Sequence, residues 1–308
     1  MQLERNEVGD WQYCPGVELD QAIEQGSPHY IEAMPRYLNA LEPAFKRAIE
    51  RSEFNFIESL LGVRGLQNAG WDPYESTIQA IDAATNAHSL VDATTKRHLT
   101  LWIYGHIMEA SEPYEFLANL VEIAGGGRYS ISRFPTPNNR PPVSPYRKII
   151  NITERAAMFG IPGVEIPMQE AWNRELRNAI FHADYCLFGP QVRIRNPDIC
   201  FEHEEIEQYI NRALAYHQAM IFLRQRYTEQ YTEPKVIPAD PEFTGNNYEQ
   251  AVVIVREGHG VVGIKDNWTL EELARGGIPY RSGRFSRDES ELLRENPTLA
   301  LLPRRGEN

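Results

Sequence analysis

Cysteine is scarce. The 308 residues hold three, Cys14, Cys186 and Cys200, with no C-x-x-C pair among them. A disulfide scaffold uses more cysteines at closer spacing, so that class is excluded and a reducing compartment fits best. Cys186 and Cys200 could bond only if adjacent strands brought them together, and buried free thiols are the commoner outcome. Long apolar runs are missing too. No stretch approaches twenty consecutive apolar residues, and the opening MQLERNEVGDWQYCPG lacks a basic start followed by an apolar run. A soluble, cytoplasmic protein with no membrane partner is expected. Positive charge is in deficit as well: 31 Lys and Arg face 43 Asp and Glu, a formal net charge of -12. Broad adhesion to nucleic acid needs a positive surface and is therefore excluded, whereas a local basic site is not.

The scarce charge is concentrated in one place. No acidic residue lies between Glu122 and Glu154, yet Arg128, Arg133, Arg140, Arg147 and Lys148 all fall there, with Tyr129, Phe134 and Tyr146 among them. Cations interleaved with rings are the composition of a surface that tracks RNA, and an ordinary basic surface loop fits equally well. The stretch GGGRYSISRFPTPNNRPPVSPYR is rich in Gly, Pro, Asn and Ser and reads as an exposed irregular connection. Gly125, Gly126 and Gly127 do not form a phosphate loop, because no G-K-S or G-K-T follows and a helix ends there. His203 with Glu202, Glu204 and Glu205 reads as an acidic helix start before it reads as a metal site, so neither metal nor cofactor is expected.

Hydrophobic spacing predicts a mainly α chain. Residues 30–63 carry a helical stripe through Ile31, Met34, Leu38, Leu41 and Phe45 that Pro35 and Pro43 are placed to interrupt. Further helices are expected over about 74–87, 94–123, 144–159, 167–185 and 204–227. YCLFGPQVRIR suggests a hairpin around Gly189-Pro190, and AVVIVREGHGVVGIK a second hairpin turning at 257–260. Thr269 has the look of a threonine cap on a short helix. Composition divides the chain into an N-terminal helical region (1–93), a helical bundle (94–231), a linker (232–248) and a small α/β appendage (249–308).

Residues 167–187, read as one helix, place Met168, Trp172, Leu176, Ala179, Ile180 and Ala183 on an apolar stripe. Opposite it stand Arg177, Asn178, Phe181, His182 and Tyr185. A face turned from its own core normally carries solvent-loving residues of no particular chemistry, whereas this one mixes Arg, Asn and His with two rings. Asn178, His182 and Tyr185 fall at i, i+4 and i+7. Arg177 and His182 are about 140° apart on a regular helix. Their functional groups converge through long side chains, through a distortion near the helix start, or because a second copy supplies its own pair, which predicts a dimer with a composite site.

At LRNAIFHADY the sequence resembles the HEPN superfamily, whose pattern is Arg, four to six residues and His, with a polar residue after the Arg. Arg177, Asn178 and His182 fill those places. The resemblance extends to the preceding helix (SPYRKIINITERAAMFGI), the approach MQEAWNREL, the hairpin and the final long helix, about 94–230 in all. It implies an antiparallel helical bundle, here with an N-terminal helical extension and the α/β appendage. The implied activity is metal-independent cleavage of RNA by 2′-hydroxyl attack, in a protein of the toxin or phage-defence kind.

Such chemistry asks for few groups: His182 as general base or acid, Arg177 as phosphate clamp, Asn178 as the hydrogen bond that orients it. Tyr185 would contact the RNA by stacking or through its hydroxyl. The implied partners are an RNA substrate, a second copy of the chain and a protein that restrains the activity.

Spacing alone is cheap, since chance supplies about two such matches in a chain of this length. Arg212 and His217 also satisfy it, but that match lacks the polar follower, and His217 lies on an apolar stripe where a core histidine is expected. The chain also departs from the family, because some members carry a tyrosine two residues after the histidine and here it comes three after. Asp184 is a candidate to occupy Arg177. The competing reading is a noncatalytic HEPN-like module in which Phe181, Tyr185 and their neighbours build a subunit interface. A nucleotide-binding antitoxin fits less well, for want of a phosphate-cradling loop.

Overall fold

The computed structural model describes residues 3–13, 27–62, 73–88, 90–135, 142–241 and 249–265. Helix predominates among them, with three small antiparallel sheets. The chain divides into two compact units, each assembled from three separated stretches. Met1–Pro43, Tyr74–Tyr114 and Phe134–Leu223 form the first, and Ala44–Pro73, Glu115–Arg133 and Arg224–Asn308 the second. The units interleave along the sequence, where a reading by composition expects consecutive blocks.

The first unit opens with a hairpin that the sequence reading did not foresee, β1 (Leu3–Arg5) against β2 (Trp11–Tyr13). It is fastened to helix α1 (Pro28–Arg51) by polar groups. The Trp11 backbone N–H donates to Asn39 Oδ1 at 2.7 Å, the Trp11 indole N–H donates to Glu42 Oε2 at 3.1 Å, and Arg5 forms an ion pair with Glu42. Helix α1 runs unbroken through Pro35 and Pro43, and the interruption comes instead at Ser52, whose extended backbone caps helix α2 (Glu53–Leu61). A serine oxygen facing an orphan N–H starts a helix more effectively than an interior proline ends one here.

After α3 (Pro73–His88), the single helix expected over 94–123 is two, α4 (Ala93–Glu109) and α5 (Ser111–Ala124), parted at Ala110. Pro113 accounts for the break: in a continuous helix its ring would strike the carbonyl of Glu109. The segment expected as one helix over 167–185 is likewise divided. Helix α6 (Pro145–Met158) leads into α7 (Ile166–Ala171), the chain extends at Trp172 and Asn173, and α8 (Arg174–His182) follows. Tyr185 is not helical. It opens β3 (Tyr185–Phe188), which pairs with β4 (Gln191–Ile194), and β5 (Ile199–Phe201) makes the expected hairpin a three-stranded sheet. Cys186 and Cys200 both lie opposite Arg193 on the middle strand, so a strand separates them; both are free and exposed, not buried. Helix α9 (His203–Glu229) closes the unit and continues into the second.

In the second unit Phe45 lies 5.5 Å from Phe116 and 5.0 Å from Tyr227 between ring centroids, and Phe56 packs edge-on to Tyr227. Each such ring pair contributes about 0.5–1.5 kcal/mol beyond its burial. The 232–248 stretch, expected as a linker, contributes β6 (Lys235–Pro238), which pairs with β7 (Gln250–Arg256), itself paired with β8 (Gly260–Lys265). The turn before β8 needs glycine: Gly260 has φ +76°, and a Cβ there would stand 2.0 Å from the Thr228 carbonyl oxygen. The cap expected at Thr269 lies outside the described residues. No helix among those described is long and apolar enough to cross a membrane.

Glu58 on α2 is buried in the second unit beside Asp240, which accepts from Asn55 Nδ2 at 2.9 Å and pairs with Arg128 at 3.2 Å. Burial first, and the Asp240 carboxylate second, push the Glu58 carboxyl up to about 8. An acid whose folded pKa exceeds its unfolded value keeps a proton in the folded state that it loses in the unfolded one. Its contribution to stability is therefore complete below the unfolded value of 4.5 and is lost as pH rises toward about 8. Glu58→Gln should become progressively more stable than wild type across that window, with a limiting slope of about 1.4 kcal/mol per pH unit. Denaturant unfolding at several pH values measures it, and parallel wild-type and variant profiles would refute the assignment.

Candidate functional site

The motif side chains are presented by the packing of α8 on α4, both in the first unit. Tyr104 on α4 fixes the approach. Its fully buried hydroxyl donates to the Ala171 carbonyl at 3.0 Å and accepts from the Asn173 backbone N–H at 3.0 Å, so one side chain satisfies both sides of the break between α7 and α8. Asn173 then caps α8, its Oδ1 accepting from the Leu176 N–H at 2.9 Å. Directly after Tyr104 on α4, Gly105 lets the helices close: a Cβ there would meet Ile180 Cγ2 at 3.0 Å and Phe181 Cε2 at 3.1 Å.

Arg177 sits in the first turns of α8 and is half-buried. It forms an ion pair with Glu109 at the end of α4, donates through Nη1 to Asn178 Oδ1 at 2.7 Å, and lies over the Phe181 ring at 5.2 Å. Burial lowers the guanidinium pKa from its ordinary value. Its Nε carries no hydrogen bond. Asp184, expected as the rival for this guanidinium, is instead exposed and closes the helix end, its N–H donating to the Ala179 carbonyl at 2.9 Å. Glu109 holds the place that Asp184 was expected to take.

His182 is the last residue of α8 and is exposed, with no hydrogen bond or ion pair among the described residues. The turn after it is strained, because Ala183 adopts the left-handed region at φ 52° that usually falls to glycine. Tyr185, now on β3, shares a 2.8 Å hydrogen bond between its hydroxyl and His98 Nδ1 of α4, and burial raises its pKa. Asn178, His182 and Tyr185 therefore do not form a single helical row. Arg177 and His182 lie five residues apart on a nine-residue helix, and no contact joins them.

The sequence reading missed the α4 side of the site: His98, Trp102, Gly105, His106 and Glu109. Trp102 and His106 stack at 4.9 Å between centroids, Trp102 is 42% exposed, and the neighbouring Phe181 on α8 is 48% exposed. A signal was present in HLTLWIYGHIME, where His98, Trp102 and His106 recur every four residues and thus share a face.

The cationic stretch does not survive as one surface. Lys148 is buried at 6% exposure, hydrogen-bonded to Ser111 Oγ and set 5.5 Å from the Phe134 ring, so it cannot track RNA. Arg128 pairs with Asp240, and Arg133 donates from Nε to Asn119 Oδ1 at 2.8 Å; both belong to the second unit. Arg147 is exposed on α6. Arg140 lies outside the described residues. His217 is buried, and burial with a smaller effect from His106 brings its pKa down to about 4. No cluster of three or more His, Cys, Asp or Glu among the described residues has metal-binding geometry.

The chain matches no family model, no curated protein and no solved structure.

Two substitutions test the scaffold of this site. Tyr104→Phe leaves a buried acceptor and a buried donor unmet and should lower the unfolding free energy by about 1–3 kcal/mol; a change near zero in denaturant unfolding would remove Tyr104 from its role. Ala183→Gly should raise it by about 1 kcal/mol, because glycine occupies the left-handed region without strain.

Proposed function

We propose that the chain is an endoribonuclease of HEPN type that cleaves RNA by attack of the 2′-hydroxyl on the neighbouring phosphodiester. The observation that carries this reading is the exposed imidazole of His182, without a partner among the described residues, on the same short helix as an arginine held in place by the asparagine that follows it. His182 takes the 2′-hydroxyl proton as the 2′-oxygen bonds to phosphorus. The bond from phosphorus to the 5′-oxygen breaks, and that oxygen receives a proton, leaving a 2′,3′-cyclic phosphate and a 5′-hydroxyl. Arg177 balances the charge gathering on the phosphate. The exposed rings of Trp102 and Phe181 supply faces on which unpaired bases stack. A second copy completes the site, since one chain keeps Arg177 and His182 apart. An effector role as toxin or phage-defence protein, restrained by a partner, accords with this activity.

Arg177 meets RNA only by exchanging Glu109 for a phosphate. That same ion pair favours the alternative, a noncatalytic module in which the exposed rings meet a second copy.

Incubation of the purified chain with total RNA in chelator should yield fragments ending in 2′,3′-cyclic phosphate, and His182→Ala should slow their formation about 10²- to 10⁴-fold. Equal, negligible cleavage by both proteins would end the nuclease reading. Sedimentation separates the alternatives: a catalytic His182 leaves the dimer intact in His182→Ala, whereas an interface residue does not.

A further inference from the structure

A cavity of about 390 Å³ lies in the first unit, walled by α3, α4, the β3 and β4 hairpin and α9. Its size falls within the roughly 300–1,000 Å³ typical of small-molecule sites. The walls are apolar where they are most buried, at Leu101, Val192, Ile206 and Ile210. Two of the polar side chains that line it are already engaged: Thr100 Oγ1 donates to the Lys96 carbonyl at 2.8 Å, and Asn211 Nδ2 donates to the Glu207 carbonyl at 2.7 Å. A ligand recognised by many hydrogen bonds, such as a nucleobase, would find few free partners there.

Two lining residues stand apart from this pattern. Lys96 and Arg97 are half-buried, and their side chains make no ion pair or hydrogen bond among the described residues. The lining carboxylate, Glu207, lies 3.3 Å from His203 Nε2 one turn away on α9, with both side chains at least half exposed. An apolar chamber whose charged lining sets two cations, Lys96 and Arg97, against one carboxylate, Glu207, is complementary to a molecule with a hydrocarbon body and one anionic end.

We infer that this cavity binds a single-chain amphiphile whose terminal group is a carboxylate or a phosphate monoester, the alkyl chain lying against Leu101, Ile206 and Ile210 and the anion meeting Lys96 and Arg97. The inference is independent of the nuclease reading, and neither stands or falls with the other.

Calorimetric titration of the full chain with dodecanoate, below its micelle concentration, tests it. One dodecanoate should bind per chain, decanoate should bind more weakly by about fourfold for each methylene removed, and dodecanol should bind at least about tenfold more weakly than dodecanoate. Dodecyl phosphate run in parallel separates the two headgroups, the tighter ligand naming the source. Lys96→Gln with Arg97→Gln should abolish the preference for acid over alcohol and leave the alcohol's affinity unchanged. Asn211→Trp and Leu214→Trp, from half-buried lining positions, should fill the cavity and remove binding of both. If neither tryptophan variant folds, the comparison of acid with alcohol on wild type and on the glutamine variant still decides. Absence of dodecanoate binding, equal affinity for acid and alcohol, undiminished binding by a folded tryptophan variant, or tighter binding of adenosine monophosphate would each overturn the assignment.

Discussion

A single buried hydroxyl governs where the motif stands. Tyr104 bridges the last carbonyl of α7 and the first N–H before α8, and both groups would otherwise be orphaned inside the protein. An unmet buried polar group costs about 1–3 kcal/mol, a sizeable part of the net stability of a domain. The break in the chain at Trp172 and Asn173 is thus fixed, and with it the start of α8 and the direction of every side chain on it. Gly105 sets the distance and Tyr104 sets the register. Had 167–185 continued as one helix, Arg177 would keep its place on a face but lose the Asn173 cap and the ion pair at the end of α4.

That ion pair shapes the electrostatics of the site. Arg177 and Glu109 retain only about a quarter of their side-chain exposure, at 21% and 28%, so solvent screens them less than a surface pair. In a chain of net charge -12, an arginine left open would be expected to recruit a carboxylate somewhere. Glu109 fills that role locally, and a phosphate entering the site must displace it. A bidentate arginine-phosphate contact is at least as strong as an arginine-carboxylate one, so the exchange is feasible once base stacking on Trp102 and Phe181 brings the strand in. On the proposed reading, affinity for RNA would depend on rings as much as on charge.

The mainly helical character, the positions of most helices and two of the hairpins, though not the one at Leu3–Tyr13, were legible in the sequence, because periodicity reports which face is buried. The breaks were less so. Helix ends at Ala110 and Trp172 depend on Pro113 and on Tyr104, and the second acts from nearly seventy residues away, beyond any local pattern. Arg177, Asn178 and His182 were singled out by their order along the chain, whereas Glu109 and His98 were missed because their partners, Arg177 and Tyr185, lie on other elements far along the sequence. The cationic stretch misled for a related reason. Charge in sequence does not say which side of a helix faces inward, and Lys148 is buried on α6 while Arg147 next to it is exposed.

The helix that carries the motif also explains why one copy is insufficient for the proposed chemistry. From Arg177 to His182 the axis advances about 7.5 Å, and the two side chains point about 140° apart. The N-terminal end of α8, with its free N–H groups and Arg177, attracts a phosphate, while the C-terminal end, with its carbonyls, repels one. On the proposed reading, a phosphodiester bound by Arg177 would lie toward the start of α8, about 7.5 Å along the axis from His182 of the same chain. In the proposed dimer, two copies related by a two-fold axis near the middle of α8 would run antiparallel, and the Arg177 end of each would meet the histidine end of the other. Trp102 and Phe181, at 42% and 48% exposure, are the rings that such a pairing would have to accommodate.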